Sequence, residues 1–128
     1  MISWFEKHSG VSWGITIFGA IAIFYLSSLT FGPVTGGKSI LSMVYHIMAF
    51  FCLTFFLLIS IVRGKNREFL IPSVIIGILY GIFDELHQFF VPGRYAGGFD
   101  VFLDSLGAMF AFMIYLISIE YRNLRSGN

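Results

Sequence analysis

The part of the sequence best suited to chemistry is a short run of polar side chains in an otherwise apolar chain. Between positions 84 and 104 it holds four carboxylates, a guanidinium, a primary amide and an imidazole, namely Asp84, Glu85, His87, Gln88, Arg94, Asp100 and Asp104. A guanidinium can hold a phosphate or a carboxylate through paired hydrogen bonds. Crowded carboxyl groups repel one another, so one of them is expected to keep its proton near neutral pH. The run predicts a site that binds a polar ligand or transfers a proton.

The candidate ligand-binding residues share polar side chains that can reach one end of a helical bundle. They are Asp84, Glu85, Gln88, Arg94, Asp100, Asp104 and, from an earlier apolar run, His46. No catalytic residue is assigned, and Glu85 is the best candidate for a general acid or base. A charge at bilayer depth costs about 2.5–3.5 kcal/mol on insertion scales, which favours a functional site over chance.

Several of these residues also have a purely structural interpretation, which the sequence leaves open. Asp84 and Asp104 could pair with Arg94 and hold two helices in register. Asp100 suits the cap at the start of a helix. His87 could be an interfacial residue, and His46 a hydrogen-bonded residue of the bundle core.

Common catalytic and metal-binding motifs are missing from the sequence. It contains no His-Glu-x-x-His zinc motif, no Gly-x-Ser-x-Gly nucleophile elbow and no phosphate-binding glycine loop. The carboxylates could hold a hard cation, but their spacing fits no calcium loop. We therefore expect no cofactor and no bound metal, and the chain is more consistent with a binding protein than with an enzyme.

The elements that must position these residues are transmembrane helices. The 128-residue chain is 57% hydrophobic and 12% charged, whereas soluble domains are roughly 45–50% apolar. Four apolar runs are long enough to cross a bilayer, which needs about 20 residues. They cover residues 11–31, 40–62, 69–90 and 100–120. The sequence predicts an all-α bundle of about four helices that forms a single transmembrane domain over residues 1–128.

Small and polar residues follow the same spacing on the last two helices. They are Gly77, Gly81, Asp84 and Gln88 on the third helix, and Asp100, Asp104, Gly107 and Ala111 on the fourth. Residues at this spacing lie on one helix face, and small side chains let membrane helices approach closely. We expect these two stripes to pack against each other, antiparallel, with the carboxylates at one end.

The distribution of basic residues predicts the orientation of the bundle. Six lie on one side of the predicted helices, namely Lys7, Arg63, Lys65, Arg67, Arg122 and Arg125, and only Lys38 and Arg94 lie on the other. Because cytoplasmic loops carry the excess of Lys and Arg, both termini are expected to be cytoplasmic. The carboxylate-rich site then faces outward.

The same residues resemble a known family pattern. Its parts in this sequence are Asp84-Glu85-x-x-Gln88-x-Phe90-x-Pro92-Gly93-Arg94, then Asp100-Val101 and Asp104-x-x-Gly107, with weaker matches at Ser27-Ser28 and His46-x-x-x-Phe50. This pattern resembles the VanZ-like membrane proteins. The resemblance implies a multi-pass protein of the bacterial cell membrane, related to proteins linked to resistance against the lipoglycopeptide teicoplanin. An acyltransferase activity is not expected, since the sequence offers no supporting nucleophile.

Three functions are compatible with these features. The first is an envelope protein whose outer polar site binds a lipid or a lipid-linked cell-wall component and so alters glycopeptide access. The second is a membrane-embedded enzyme that uses a raised-pKa carboxyl group as general acid or base on a lipid-linked substrate. The third is a structural helix clamp. A lipoglycopeptide or a second copy of the chain are further possible partners, whereas no basic patch indicates nucleic acid.

Overall fold

The computed structural model describes residues 1–30, 39–94 and 96–127. Its helices are α1 (Ile2–Lys7), α2 (Ser9–Ser27), α3 (Ile40–Val62), α4 (Leu70–Phe89) and α5 (Gly98–Ser126), and a 3₁₀ turn, Arg67–Phe69, precedes α4. These residues form no strand. Four helices are long and apolar enough to cross a membrane, α4 together with its 3₁₀ turn being one of them. The predicted all-α transmembrane class is confirmed.

The first transmembrane helix differs from its predicted bounds of 11–31. A break at His8 (φ −101°, ψ 57°) separates the short α1 from α2. The helix begins at Ser9 and ends at Ser27, so Ser28 to Thr30 lie beyond it. Phe31 and the basic residue Lys38 lie outside the described residues. The apolar run thus overestimated the helix at its end, because hydropathy does not detect where backbone hydrogen bonding stops.

The fourth transmembrane helix is longer than the predicted 100–120 and begins earlier. It runs from Gly98 to Ser126 with Gly97 as its N-cap, so Asp100 lies in the first turn and is not the cap. At 1.5 Å per residue its 29 residues span about 43 Å, against about 30 Å for the hydrocarbon core. The charged residues between positions 120 and 125 lie within this helix and do not end it.

Helix α3 is the centre of the bundle, since α2, α4 and α5 all pack against it. Two glycines allow α4 and α5 to approach α3 closely. A Cβ on Gly107 of α5 would collide with the backbone oxygen of Ile47, and one on Gly77 of α4 would collide with Thr54, so both glycines face α3. The expected packing of α4 against α5 is present, since the two helices are in contact and a Cβ added to Gly81 would lie 3.0 Å from the Cβ of Asp104. Within the two stripes, Gly77 and Gly107 face α3 instead.

The apolar core lies towards the end of the bundle where α3 ends and α4 begins. It includes Leu58, Ile59 and Val62 of α3 together with Val74 of α4 and Ala111 of α5. Many large apolar side chains elsewhere, such as those on α2, are exposed and suit contact with lipid.

One end of the bundle is fastened by a polar group around Glu6. Arg122 donates two hydrogen bonds to this carboxylate, of 2.6 and 2.8 Å, and the Tyr115 hydroxyl donates a third of 2.7 Å. The same hydroxyl accepts the Gly64 N–H at 3.0 Å. Burial by itself would raise the pKa of Glu6, but the hydrogen bonds from Arg122 and Tyr115 and the charge of Arg122 lower it below 4.5.

Arg67 and Glu120 form a second ion pair at the same end, 2.8 Å apart. The end marked by Glu6 therefore gathers the six basic residues that the sequence assigned to one side. The cytoplasmic location of that side stays a prediction.

Candidate functional site

The opposite end of the bundle contains the predicted polar site. Helices α2 and α4 end there, and α3 and α5 begin there, so four helix termini converge. Six of the predicted residues are at most 5% exposed, namely His46, Asp84, Glu85, Gln88, Asp100 and Asp104. Arg94 is half-buried in the loop between α4 and α5. The structure brings together all seven candidate ligand-binding residues.

The first half of the site, which we call the Arg94 network, comprises Ser27, Asp84, Gln88 and Arg94. The Ser27 hydroxyl donates to Asp84 Oδ1 at 2.5 Å, and the Gln88 amide donates to Asp84 Oδ2 at 2.8 Å. Arg94 Nη2 donates to Gln88 Oε1 at 3.0 Å. Both oxygens of the Asp84 carboxylate are thereby satisfied without a direct cation.

Arg94 is not paired as the sequence suggested. Among the described residues it contacts the Gln88 amide and forms no ion pair with Asp84 or Asp104. Its Nε–H is buried and has no hydrogen-bond partner in this part of the chain. A buried donor without a partner costs about 1–3 kcal/mol, so the guanidinium retains capacity for an acceptor on a ligand.

The second half, which we call the His46 cluster, comprises His46, Glu85, Asp100 and Asp104. His46 Nδ1 lies 2.8 Å from Asp104 Oδ1, and His46 Nε2 lies 3.9 Å from Asp100 Oδ2. An ionised Asp104 accepts a hydrogen bond from the Nδ1–H of His46, and in the neutral imidazole the Nε2 lone pair then faces Asp100. Donor atoms of His46, Glu85 and Asp100 lie within 4.8 Å of one another.

Glu85 also has a structural role. Its Oε2 accepts the Gly97 backbone N–H at 2.6 Å, and Gly97 is the N-cap of α5. Glu85 therefore joins the last turn of α4 to the first turn of α5. This contact explains how α5 can begin at Gly98 without a side-chain cap.

Two glycines allow the helices that carry the His46 cluster to approach one another closely. Asp104 is fully buried, and its Oδ2 has no hydrogen-bond partner among the described residues. Gly81 lets α4 approach Asp104, while Gly107, one turn further along α5, lets α5 approach α3. The distance between His46 and Asp104 therefore depends on how closely α3 and α5 pack.

His87 lies outside both halves. Its Nε2 is 2.9 Å from the Ser28 hydroxyl, and its ring stacks on Phe24 at a centroid distance of 4.3 Å. The interfacial interpretation fits these contacts with the end of α2.

Ser27 was not among the residues predicted for the candidate site. It forms the shortest hydrogen bond of the Arg94 network, although it lies 57 residues from Asp84. Ser27 is a polar residue at the end of an apolar run, on the same predicted side as the carboxylates. That position and the Ser27-Ser28 match to the family pattern were the signals that could have found it.

Comparison with known proteins identifies the family to which the chain belongs. The VanZ/LLP1 family model matches residues 4–119. The chain belongs to the VanZ/LLP1 family. No curated protein and no solved structure matches the chain. The family match confirms the resemblance drawn from the sequence motifs, and both halves of the polar site lie inside the matched region of this VanZ/LLP1 protein.

Proposed function

We propose that this VanZ/LLP1 protein is a multi-pass protein of the bacterial cell membrane that binds the anionic headgroup of a lipid or lipid-linked envelope component. The observation that carries the proposal is the half-buried guanidinium of Arg94, whose Nη2 is held by Gln88 and whose Nε–H lacks a partner among the described residues. A phosphate or carboxylate oxygen would satisfy that donor. By binding this headgroup, the protein would alter the access of teicoplanin to the outer membrane surface.

The distribution of charge supports an outward-facing site. The end around Glu6 gathers the basic residues of α1, of the α3–α4 turn and of the last turns of α5, whereas Arg94 belongs to the opposite end. Cytoplasmic loops carry the excess of basic residues. The Arg94 network would then meet lipids and antibiotics of the outer leaflet.

The test compares susceptibility to teicoplanin and vancomycin in a sensitive bacterial host at matched membrane abundance. The variant is Arg94→Lys, which keeps the charge and loses the planar guanidinium. Its control is Arg67→Lys, the same change at the exposed Glu120 pair. We expect the wild type and Arg67→Lys to protect against teicoplanin, and Arg94→Lys to lose that protection.

Equal protection by Arg94→Lys and the wild type would refute recognition by the guanidinium. If no form protects, the resistance part of the proposal is wrong. Lipid binding is then measured directly, by native mass spectrometry of the purified protein with phosphatidylglycerol. Retention of that lipid by the wild type and its loss in Arg94→Lys would support the headgroup site.

An enzymatic function of the same site is favoured by one observation, the His46–Asp104 pair at 2.8 Å. A carboxylate that orients an imidazole is a common arrangement of a general base. In that case His46→Gln should abolish conversion of a lipid-linked precursor while Arg94-dependent binding persists. If the cluster is only a helix clamp, each substitution should instead lower membrane abundance before it changes susceptibility.

A further inference from the structure

The His46 cluster combines donor types that suit a metal ion. Donor atoms of His46, Glu85 and Asp100 come from three different helices and lie within 4.8 Å of one another. All three residues are at most 5% exposed. An imidazole nitrogen with two carboxylates is a donor set for a divalent transition metal, whereas Mg²⁺ and Ca²⁺ prefer oxygen alone.

The distances fit an ion between the donors. His46 Nε2 and Asp100 Oδ2 are 3.9 Å apart, which is too long for a hydrogen bond. A tetrahedral zinc ion with ligands at about 2.1 Å holds its donor atoms about 3.4 Å apart. The cluster would therefore contract by at most about 1.4 Å on binding, which small side-chain rotations supply.

Asp104 gives the second, independent indication. It is fully buried and holds His46 Nδ1 through Oδ1, while its Oδ2 is left without a hydrogen-bond partner among the described residues. Histidine ligands of metals usually donate their other ring N–H to a carboxylate, which directs the free nitrogen at the metal. Asp104 holds the imidazole in that orientation.

The buried carboxylates around the His46 cluster also favour a bound cation. The site end buries four carboxylates, and Arg94 is the only Lys or Arg that the described residues place beside them. A carboxylate is costly to bury in a membrane protein, and a bound cation lowers that cost. A divalent cation between Glu85 and Asp100 would neutralise two of the four carboxylates.

We propose that His46, Glu85 and Asp100 bind a divalent transition-metal ion, with Zn²⁺ as the best fit, and that Asp104 positions His46 for this role. Three protein ligands leave one coordination position for water or for an oxygen of a ligand. This site was not predicted from the sequence, because its donors are spread between positions 46 and 100 and match no linear motif. The inference does not rest on the proposed lipid binding.

Metal binding is measured on the purified, chelator-treated full chain in detergent, prepared without a histidine tag. The background carries His8→Ala and His87→Gln, so that His46 is the only one of the three histidines that remains. We expect titration with Zn²⁺ to show one saturable equivalent. Its affinity should fall at least tenfold in Glu85→Gln and in Asp100→Asn.

A matched control is Glu120→Gln, the same change at the opposite end of the bundle, and it should leave Zn²⁺ affinity unchanged. Asp104→Asn should weaken Zn²⁺ binding about 10- to 100-fold, as expected for the partner of a histidine ligand. Equal affinity in Glu85→Gln, Asp100→Asn and Glu120→Gln would overturn the site.

A measurement without substitutions in the site guards against variants that fail to fold. X-ray absorption of the Zn²⁺-loaded background protein should show one imidazole in a shell otherwise made of oxygen. An oxygen shell without imidazole, or no saturable binding of either Zn²⁺ or Mn²⁺, would refute the proposal. Lipid and antibiotic are absent from both measurements, so failure here is distinguishable from failure of the proposed function.

Discussion

Gly107 sets the closest approach between α3 and α5, and replacing it by alanine should destabilise the bundle. The added Cβ would collide with the backbone oxygen of Ile47 and would lie 2.9 Å from the backbone nitrogen of Phe51. Backbone atoms of a central helix cannot turn aside as a side chain can, so α5 must move away from α3. Since His46 and Asp104 belong to these two helices, their 2.8 Å contact should lengthen as well.

The magnitude follows from two opposing effects. Overpacking a well-packed interface costs typically about 1–3 kcal/mol, while alanine gains up to about 1 kcal/mol over glycine in a helix. Gly107→Ala should therefore lose up to about 2 kcal/mol. Gly14→Ala is the matched control, because nothing lies within 4 Å of its added Cβ in α2, and it should be neutral or slightly stabilising.

The assay is reversible unfolding in mixed SDS and maltoside micelles, followed by far-ultraviolet circular dichroism, with all forms compared at one lipid-to-detergent ratio. A midpoint for Gly107→Ala at lower SDS than for Gly14→Ala is the expected result. Equal stability of the two variants would refute the inference that backbone contact at Gly107 sets the α3–α5 distance.

Three further predictions concern the polar contacts at the two ends. The pKa of Glu6 is lowered in the folded state, so the stability that its carboxylate contributes is present above the ordinary pKa of 4.5 and is lost as the pH falls through the folded-state pKa. The unfolding midpoint of the wild type should therefore decline in acid, and Glu6→Gln should flatten that decline. Tyr115→Phe should lose about 1–2 kcal/mol in the micelle assay, since the hydroxyl bonds both Glu6 and a backbone N–H. Ser27→Ala should lose about 1–3 kcal/mol by leaving Asp84 Oδ1 unpaired; the neighbouring, exposed Ser28→Ala should lose less, and equal losses would contradict the assigned role of Ser27.

Hydropathy predicted the membrane helices well because lipid exposure leaves a continuous apolar signal, and α3 matches its predicted bounds of 40–62. Helix ends were predicted less well, since the start of α5 depends on Gly97 meeting Glu85 in space. Six of the seven candidate site residues could be found as ionisable groups, which are rare in apolar runs, and Gln88 from its helical spacing with Asp84. Their partners could not, because the sequence contains no signal that Asp104 faces His46.

The charge balance at the two ends of the bundle distinguishes a ligand site from a clamp. Around Glu6 each described ion pair joins one acid to one base, Glu6 to Arg122 and Glu120 to Arg67, which fastens helices without excess charge. At the other end, the described residues include four buried carboxylates and one arginine, and that arginine contacts an amide. A clamp needs no such excess, because neutral pairs hold helices together at lower cost. The unequal numbers of acids and bases among the described residues at this end therefore agree better with the proposed binding sites than with a clamp.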